Sequence, residues 1–302
     1  MIGITHSDLD GLVSAMLAGI HFGFEPEDVR FARPSDAQHG IIDIIGQEIV
    51  VTDLPYISGA TYWFDHHLSN FLDKFEGILG VRETADSCAG ILARVFEVPG
   101  YGALVSETDR IDSLDLTPEE IFEPYGYYLL SKLINEDFSE VNTVQFNHYL
   151  MSLMKDKGDH IGEIIADPLV EDKITEYFRM QELARPYLKQ QMQSSNGLLL
   201  VDLRGAPSKI YTRCSFMYDP FVFDGGKDSG VMVRTYHPGL DHRETRFQVV
   251  KNPLIVDNSP NLDIGAFLNT LGGGGHPYSG GVTIDTGETD RVYEAIMGEL
   301  RR

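Results

Sequence analysis

MIGITHSDLDGLVSAMLAGIHFG, residues 1–23, passes from a short apolar run into two aspartates and a histidine, and then into a longer apolar segment. MIGIT reads as a buried strand, and Asp10-Gly11 turns the chain into LVSAMLAGIHFG, whose apolar residues suit a helix packed on a sheet. The pattern repeats outward. DVRFARP reads as a second strand, IIDIIGQ as a helix or turn, EIVVTDLP as a third strand and ATYWFDHH as a fourth. This alternation predicts an α/β fold with a parallel N-terminal sheet, which carries ligands at the carboxyl ends of its strands. Those ends hold His6 to Asp10, Asp53, and Asp65 to His67.

Further along, ADSCAGILARVFE reads as a helix with Asp86 or Ser87 near its N-cap, and YGALVSETDRIDS as another. Residues 118–193 look mostly helical, with Pro168 and Pro186 as interruptions. The polar stretch KQQMQSSNG ends in Asn-Gly and places a linker at 189–196. Two domains follow, 1–188 and a smaller α+β domain, 197–302. The second holds LLLVDL, SKIYTRC, SGVMVRTYHP and TRFQVVKN as short strands and IGAFLNTL as a helix running into glycines.

The length of 302 residues suits two domains. The net charge of −22 argues against wrapping long nucleic acid, which needs basic surface. Residues 1–196 hold 33 acids and 13 bases, whereas 197–302 hold 13 and 11, so the acidic half suits cations and the nearly neutral half can face an anion. Cys88 and Cys214 are far apart and read as small buried hydrophobes. The opening residues show neither a basic leader nor a long apolar stretch, so the expectation is a cytoplasmic protein without a membrane partner.

His6, Asp8 and Asp10 alternate at i, i+2 and i+4, which in extended chain directs the side chains one way. Histidine nitrogen with carboxylate oxygens suits Mn²⁺ or Mg²⁺. Asp53 follows an apolar run, and Asp65-His66-His67 is a cluster that packing alone does not explain. Asp109 is the first choice for a further acid, with Glu107 and Asp112 in the same segment left open by spacing. His21, His39, His148, His160 and His242 read as surface or locally bonded residues, and His237 as structural. GGGGHP at 272–277 reads either as a turn or as a stretch whose bare N–H groups meet a phosphate. Arg243 and Arg246 suit a phosphate or base, or simply a soluble surface.

With these residues in place, the chain resembles the DHH phosphoesterase family, in the branch bearing the DHH-associated C-terminal domain. HSDLDGLVSA is similar to the first motif, Asp53 in VVTDLP to the second, Asp65-His66-His67 to the third and Asp109 in SETDRIDS to the fourth; GGGGHPYSGG is similar to the glycine-histidine signature of the second domain. The resemblance implies a hydrolase with two divalent ions, Mn²⁺ or else Mg²⁺, in a cleft between the domains. By that likeness Asp53 bridges both ions, His6 and Asp8 serve one, and Asp10, Asp109, Asp65 and His67 complete the ligands. Asp53, Asp65 and His66 take the catalytic roles, with His66 orienting a ligand or meeting the phosphate. Gly273, Gly274, Gly275 and His276, with Arg243 and Arg246, hold the substrate.

The implied activity is a nano-RNase-like exonuclease that hydrolyses very short oligonucleotides, with phosphatase action on 3′-phosphoadenosine 5′-phosphate. The alternatives are a cyclic or linear dinucleotide phosphodiesterase of the pGpG type, an exopolyphosphatase, and a nucleotide sensor without catalysis. The short H-x-D-x-D-G spelling, and the missing Ser-Arg-Lys-Lys motif, move pyrophosphate down the order. The chain has no length for the OB domain of a RecJ-type exonuclease. Tyr278, Ser279 and Gly280 stand where the family carries small residues such as alanine. The family allows a homodimer.

Overall fold

The computed structural model describes residues 1–38, 40–42, 48–70, 77–134, 141–206, 229–237, 242–252 and 261–301. It divides into two compact units, Met1–Leu116 with Pro124–Glu176, and Thr117–Glu123 with Tyr177–Arg302.

In the first unit β1 (Ile2–Thr5), β2 (Val29–Phe31), β3 (Ile49–Thr52) and β4 (Tyr62–Phe64) form a parallel sheet in the order β2-β1-β3-β4. All four residues of β3 are buried, as expected of a parallel strand covered on both faces. On one face Val50 and Phe64 join Leu12, Val13, Met16 and Leu17 of α1 (Leu9–Phe22) and Leu92 of α3 (Cys88–Phe96). On the other, Ile4 and Val51 pack with Leu54, Ile57 and Trp63. Each such aliphatic side chain contributes about 1.5–3 kcal/mol by leaving water. The fully buried Trp63 satisfies its one polar atom by donating from Nε1 to Leu54 O at 2.9 Å.

Local chemistry sets the helix ends. Asp8 is the N-cap of α1, accepting from Gly11 N, and Gly23 at φ +80° ends it with its N–H on Gly19 O. Ser87, one of the two caps expected, caps α3. A short α2 (Pro34–Gln38) follows β2, and α4 (Gly102–Asp112) packs against α1 and α3. The region expected to be mostly helical supplies α5 (Pro118–Phe122), α6 (Gly126–Ser131), α7 (Val141–Lys157), α8 (Ile161–Ile165) and α9 (Pro168–Gln191). Of the two expected interruptions, Pro168 stands at the break between α8 and α9, whereas Pro186 breaks no helix. Pro168 occupies the first position of α9, where no N–H is needed, and Pro186 lies inside the same helix.

The second unit holds a mixed sheet of β5 (Met192–Ser195), β6 (Leu198–Asp202), β7 (Val231–Tyr236), β8 (Glu244–Lys251), β9 (Gly274–Gly275) and β10 (Ser279–Asp285), in the order β5-β6-β7-β8-β10-β9. Among the described strands of this sheet only the β6–β7 pair is parallel. Its core joins Val233, Phe247, Val249 and Val282 to α10 (Ile264–Asn269) and α11 (Thr289–Leu300) through Ile264, Leu268, Val292 and Ile296.

Residues 189–196, expected as a linker, hold the last turn of α9 and the strand β5. Asn196 (φ +52°) and Gly197 (φ +77°) form the two-residue turn of a hairpin whose strands pair Ser195 with Leu198. Asn-Gly tolerates the two positive φ angles that such a turn requires. Strands at LLLVDL, SGVMVRTYHP and TRFQVVKN are present; SKIYTRC, with Cys214, lies outside the described residues, as do His39 and most of IIDIIGQ. Among the described residues no helix is long and apolar enough to cross a membrane.

Candidate metal centre

The carboxyl ends of β1, β3 and β4 gather the acids and histidines. The loop after β1 is held tightly: Thr52 Oγ1 donates to Thr5 Oγ1 at 2.9 Å, and Thr5 Oγ1 lies 2.9 Å from Gly11 O and 3.1 Å from Thr52 O. A Cβ on Gly11 would fall 2.1 Å from His6 O, so only glycine lets α1 start against this loop. Asp8 faces His6, with Oδ2 2.7 Å from His6 Nδ1. Ser7, between them, is buried and accepts from Asn147 Nδ2 of α7 at 2.7 Å.

Asp53, just past β3, is buried and has φ +53°, a left-handed conformation that aspartate tolerates better than most residues. Its Oδ2 lies 3.7 Å from His6 Nδ1, and its Oδ1 lies 3.5 Å from His66 Nε2 and 3.7 Å from His67 Nδ1. One carboxylate thus spans two histidine groups. Burial alone would raise its pKa, but bonds to His6 and His66 and the charge of His67 hold it well below the usual carboxylate range.

His66 is buried, and its Nδ1–H donates to Ala85 O at 3.0 Å, which fixes the ring and turns Nε2 inward. Around Nε2 stand Asp112 Oδ2 at 3.4 Å and Asp10 Oδ2 and Asp53 Oδ1, both at 3.5 Å. Burial opposes a charge on this ring, yet Asp53, Asp112 and Asp10 together push its pKa up to about 11. Burial raises Asp112 to about 7, the charge of His66 lowering it and Asp53 and Asp8 raising it. Asp10 is driven well above the usual range by burial, then by Asp53 and Asp112. Crowded carboxylates that take up protons mark a place where positive charge is in demand.

Asp10 has a second occupation. Its Oδ2 accepts from Cys88 N at 2.8 Å, and its Oδ1 from Ala89 N at 2.7 Å and Ser14 Oγ at 3.0 Å, so it also caps α3. Asp65 is fully buried, with Oδ1 2.9 Å from His67 Nδ1 and Oδ2 accepting from Asn70 Nδ2 at 2.6 Å. Burial and His66 work against a proton on His67, but the bond to Asp65 and the charges of Asp65 and Asp53 together raise its pKa.

Asp109, the expected fourth-motif acid, stands apart from these groupings. Its Oδ1 accepts from Ser87 Oγ at 2.5 Å, and a Cβ on Gly90 would fall 2.5 Å from the same oxygen. Glu107 pairs with Arg110. Asp112, three residues beyond Asp109 on the same helical face, is the acid placed on His66. Three groupings in this unit bring ligand atoms close enough for an ion: His6, Asp8 and Asp53; Asp10, His66 and Asp112; and Asp53, Asp65 and His67. Asn147 and Asn70 were not singled out by sequence, and only their contacts reveal them.

In the second unit GGGGHP forms a tight turn. Gly272 N and Gly273 N donate to Asn269 O and Leu268 O, while His276 N donates to Ser279 O at 2.7 Å. At least three of its N–H groups are therefore used internally. The carbonyls of His276 and Pro277 accept from Gly265 N and Ile264 N at the start of α10. A Cβ on Gly265, Gly273 or Gly275 would meet backbone oxygen at 2.2–2.4 Å, so the glycines permit close backbone packing here. Arg246, on β8, runs beside Gly281, and Arg243 O accepts from Thr286 N. His237 Nδ1 bonds Glu244 O, His148 Nε2 bonds Val29 O and His21 stacks on Phe96, all structural roles; Cys88 is buried.

No family model matches this chain, and no curated protein does. Solved structures do. A pGpG-specific phosphodiesterase, PggH, from Vibrio cholerae is 24% identical over 99% of this chain and 98% of its own, with a TM-score of 0.66. RecJ from Thermus thermophilus in complex with Mn²⁺ gives a TM-score of 0.58 at 12% identity, covering 99% of this chain and 52% of that one. An exopolyphosphatase-related protein from Bacteroides fragilis gives 0.51 at 13% identity, covering 99% and 91%. The chain has the fold of these proteins, and the likeness to DHH phosphoesterases read from its motifs extends to its architecture.

Proposed function

We propose that the chain is a two-metal phosphodiesterase of the DHH family, hydrolysing linear dinucleotides such as pGpG and comparably short oligonucleotides. The observation that carries this reading is the ring of three carboxylate oxygens 3.4–3.5 Å from His66 Nε2, joined through Asp53 to His6 and Asp8. The donor set fits divalent ions that favour oxygen and imidazole. His6, Asp8 and Asp53 would hold one ion, and Asp10, Asp53, His66 and Asp112 the other. When bound, the pair would supply Lewis-acid stabilisation of a phosphate and an activated water. Mn²⁺ is the first candidate, since RecJ of the same fold is described with it.

The residues divide the remaining work. Asp53 presents its two oxygens to the two ligand groups, at the cost of a left-handed backbone. Ala85 O holds the His66 ring so that Nε2 stays directed at the acids. Asp65 is proposed to orient His67, its Oδ1 lying 2.9 Å from His67 Nδ1 and its Oδ2 accepting from Asn70 Nδ2. His67, with its proton supported by Asp65, is proposed to donate to the substrate phosphate or the leaving oxygen. This exchanges the roles that the resemblance gave to His66 and His67. The second unit, with Arg243, Arg246 and His276, is proposed to grip the nucleotide.

The test is turnover with Mn²⁺ across pGpG, an RNA length ladder, 3′-phosphoadenosine 5′-phosphate and polyphosphate. The reading expects mononucleotides from pGpG and from oligonucleotides of a few residues. Release of phosphate from polyphosphate alone, or nucleotide binding without product, would refute it.

A further inference from the structure

His6 and Asp8 face each other at the proposed metal site, and Ser7, buried between them, engages a different partner. It meets Asn147 of α7, 140 residues later in the chain, whose side chain is fully buried. Asn147 Nδ2 donates to Ser7 Oγ at 2.7 Å, while its buried Oδ1 finds no hydrogen-bond partner among the described residues. Leaving a buried amide oxygen unpaired is costly, and a leucine of similar size would pack there without that cost. The contact with Ser7 is what the amide provides. The neighbouring His148 ties the same helix to β2 through Val29 O, so α7 meets the sheet beside this loop from a fixed position.

We infer that Asn147 is a positioning residue for the first metal ligands: through Ser7 it sets the loop on which His6 and Asp8 are carried. The inference rests on the metal-centre reading above. Partners standing behind metal ligands typically govern roughly 10- to 100-fold in metal affinity, because they determine the orientation in which the ligand waits. Asn147 is one step further removed, acting on the backbone that carries two ligands at once.

The test is a double-mutant cycle on the full chain, with Asn147→Leu, Ser7→Ala and both together. Mn²⁺ binding is measured by isothermal titration, and unfolding of the metal-free protein by its melting temperature. Each single variant should weaken one of the two binding events by about 10-fold or more, and the double variant should be no weaker than the worse single one, because both remove the same contact. Ser7→Ala deletes a single oxygen and tests the contact should Asn147→Leu fail to fold. Unchanged Mn²⁺ affinity in the variants, or losses that multiply, would overturn the inference even if metal-free melting shifts. A wild-type chain that takes up no Mn²⁺ overturns the metal-centre reading and this inference with it.

Discussion

Replacing Asp112 by Asn and, separately, Asp109 by Asn should give two quite different enzymes. The two acids lie on one face of α4, yet Asp112 Oδ2 is 3.4 Å from His66 Nε2, whereas Asp109 Oδ1 is 2.5 Å from Ser87 Oγ. In Asp109→Asn the amide oxygen still accepts from Ser87, and only the charge-assisted part of the bond is lost. Hydrogen bonds to charged groups contribute roughly 1.5–3 kcal/mol. Asp109 is only half-buried and keeps its acceptor, so a loss of about 1 kcal/mol follows, or roughly 2–4 °C in melting temperature. Turnover should stay within about 10-fold, since neither proposed ion is addressed.

Asp112→Asn removes a charged donor from the second ion. A residue that merely stands behind a ligand already governs roughly 10- to 100-fold in metal affinity, so loss of the ligand sets a floor near 100-fold. At about 1.36 kcal/mol per decade, that is at least about 2.7 kcal/mol of transition-state stabilisation. The assay is kcat with saturating pGpG and Mn²⁺, beside metal stoichiometry by titration, which should fall from two ions to one. Full activity in Asp112→Asn together with an inactive Asp109→Asn would refute the assignment and return the role to the acid that the motif suggested.

Other perturbations separate the remaining roles. His66→Asn should abolish binding of one ion, whereas His67→Asn should leave stoichiometry at two and lower kcat by about 10²–10⁴-fold, the usual range for a lost proton donor; titration and kinetics on the same samples check both. Gly11→Ala places a Cβ 2.1 Å from His6 O, and the shift needed to relieve it, near 1 Å, should cost about 100-fold in kcat/KM, with a lowered melting temperature. Gly265→Ala presses on Gly275 O at 2.2 Å and should destabilise the second unit by about 1–3 kcal/mol, read by urea unfolding, while Mn²⁺ binding is unchanged.

The parallel sheet and its acidic edge were legible because each depends on short-range pattern. MIGIT and IVVT are continuous apolar runs, and Asp53 and Asp65 follow their strands directly. The choice among Glu107, Asp109 and Asp112 was not legible. Asp109 and Asp112 share a helix face, and which of them reaches His66 depends on how α4 packs on α3. The contact of Ser7 with Asn147 has no local trace, being a pairing of one serine with one asparagine across 140 residues. At 189–197 both the polar composition and Asn-Gly were read as a linker, because the edge strand β5 is mostly exposed and shows no apolar alternation. The glycines of 272–275 suggested open N–H groups, but part of their use is to let α10, β9 and β10 approach one another.

Asp10 carries a consequence for reading related sequences. Because it closes the first turn of α3 through Cys88 N and Ala89 N, its carboxylate would be retained for folding even in a descendant that no longer turns over substrate. An intact H-x-D-x-D-G motif is therefore poor testimony of activity. Drift at His66 or Asp112, which meet at 3.4 Å in the proposed metal centre, would be a more direct sign that such a protein had become a receptor for nucleotides.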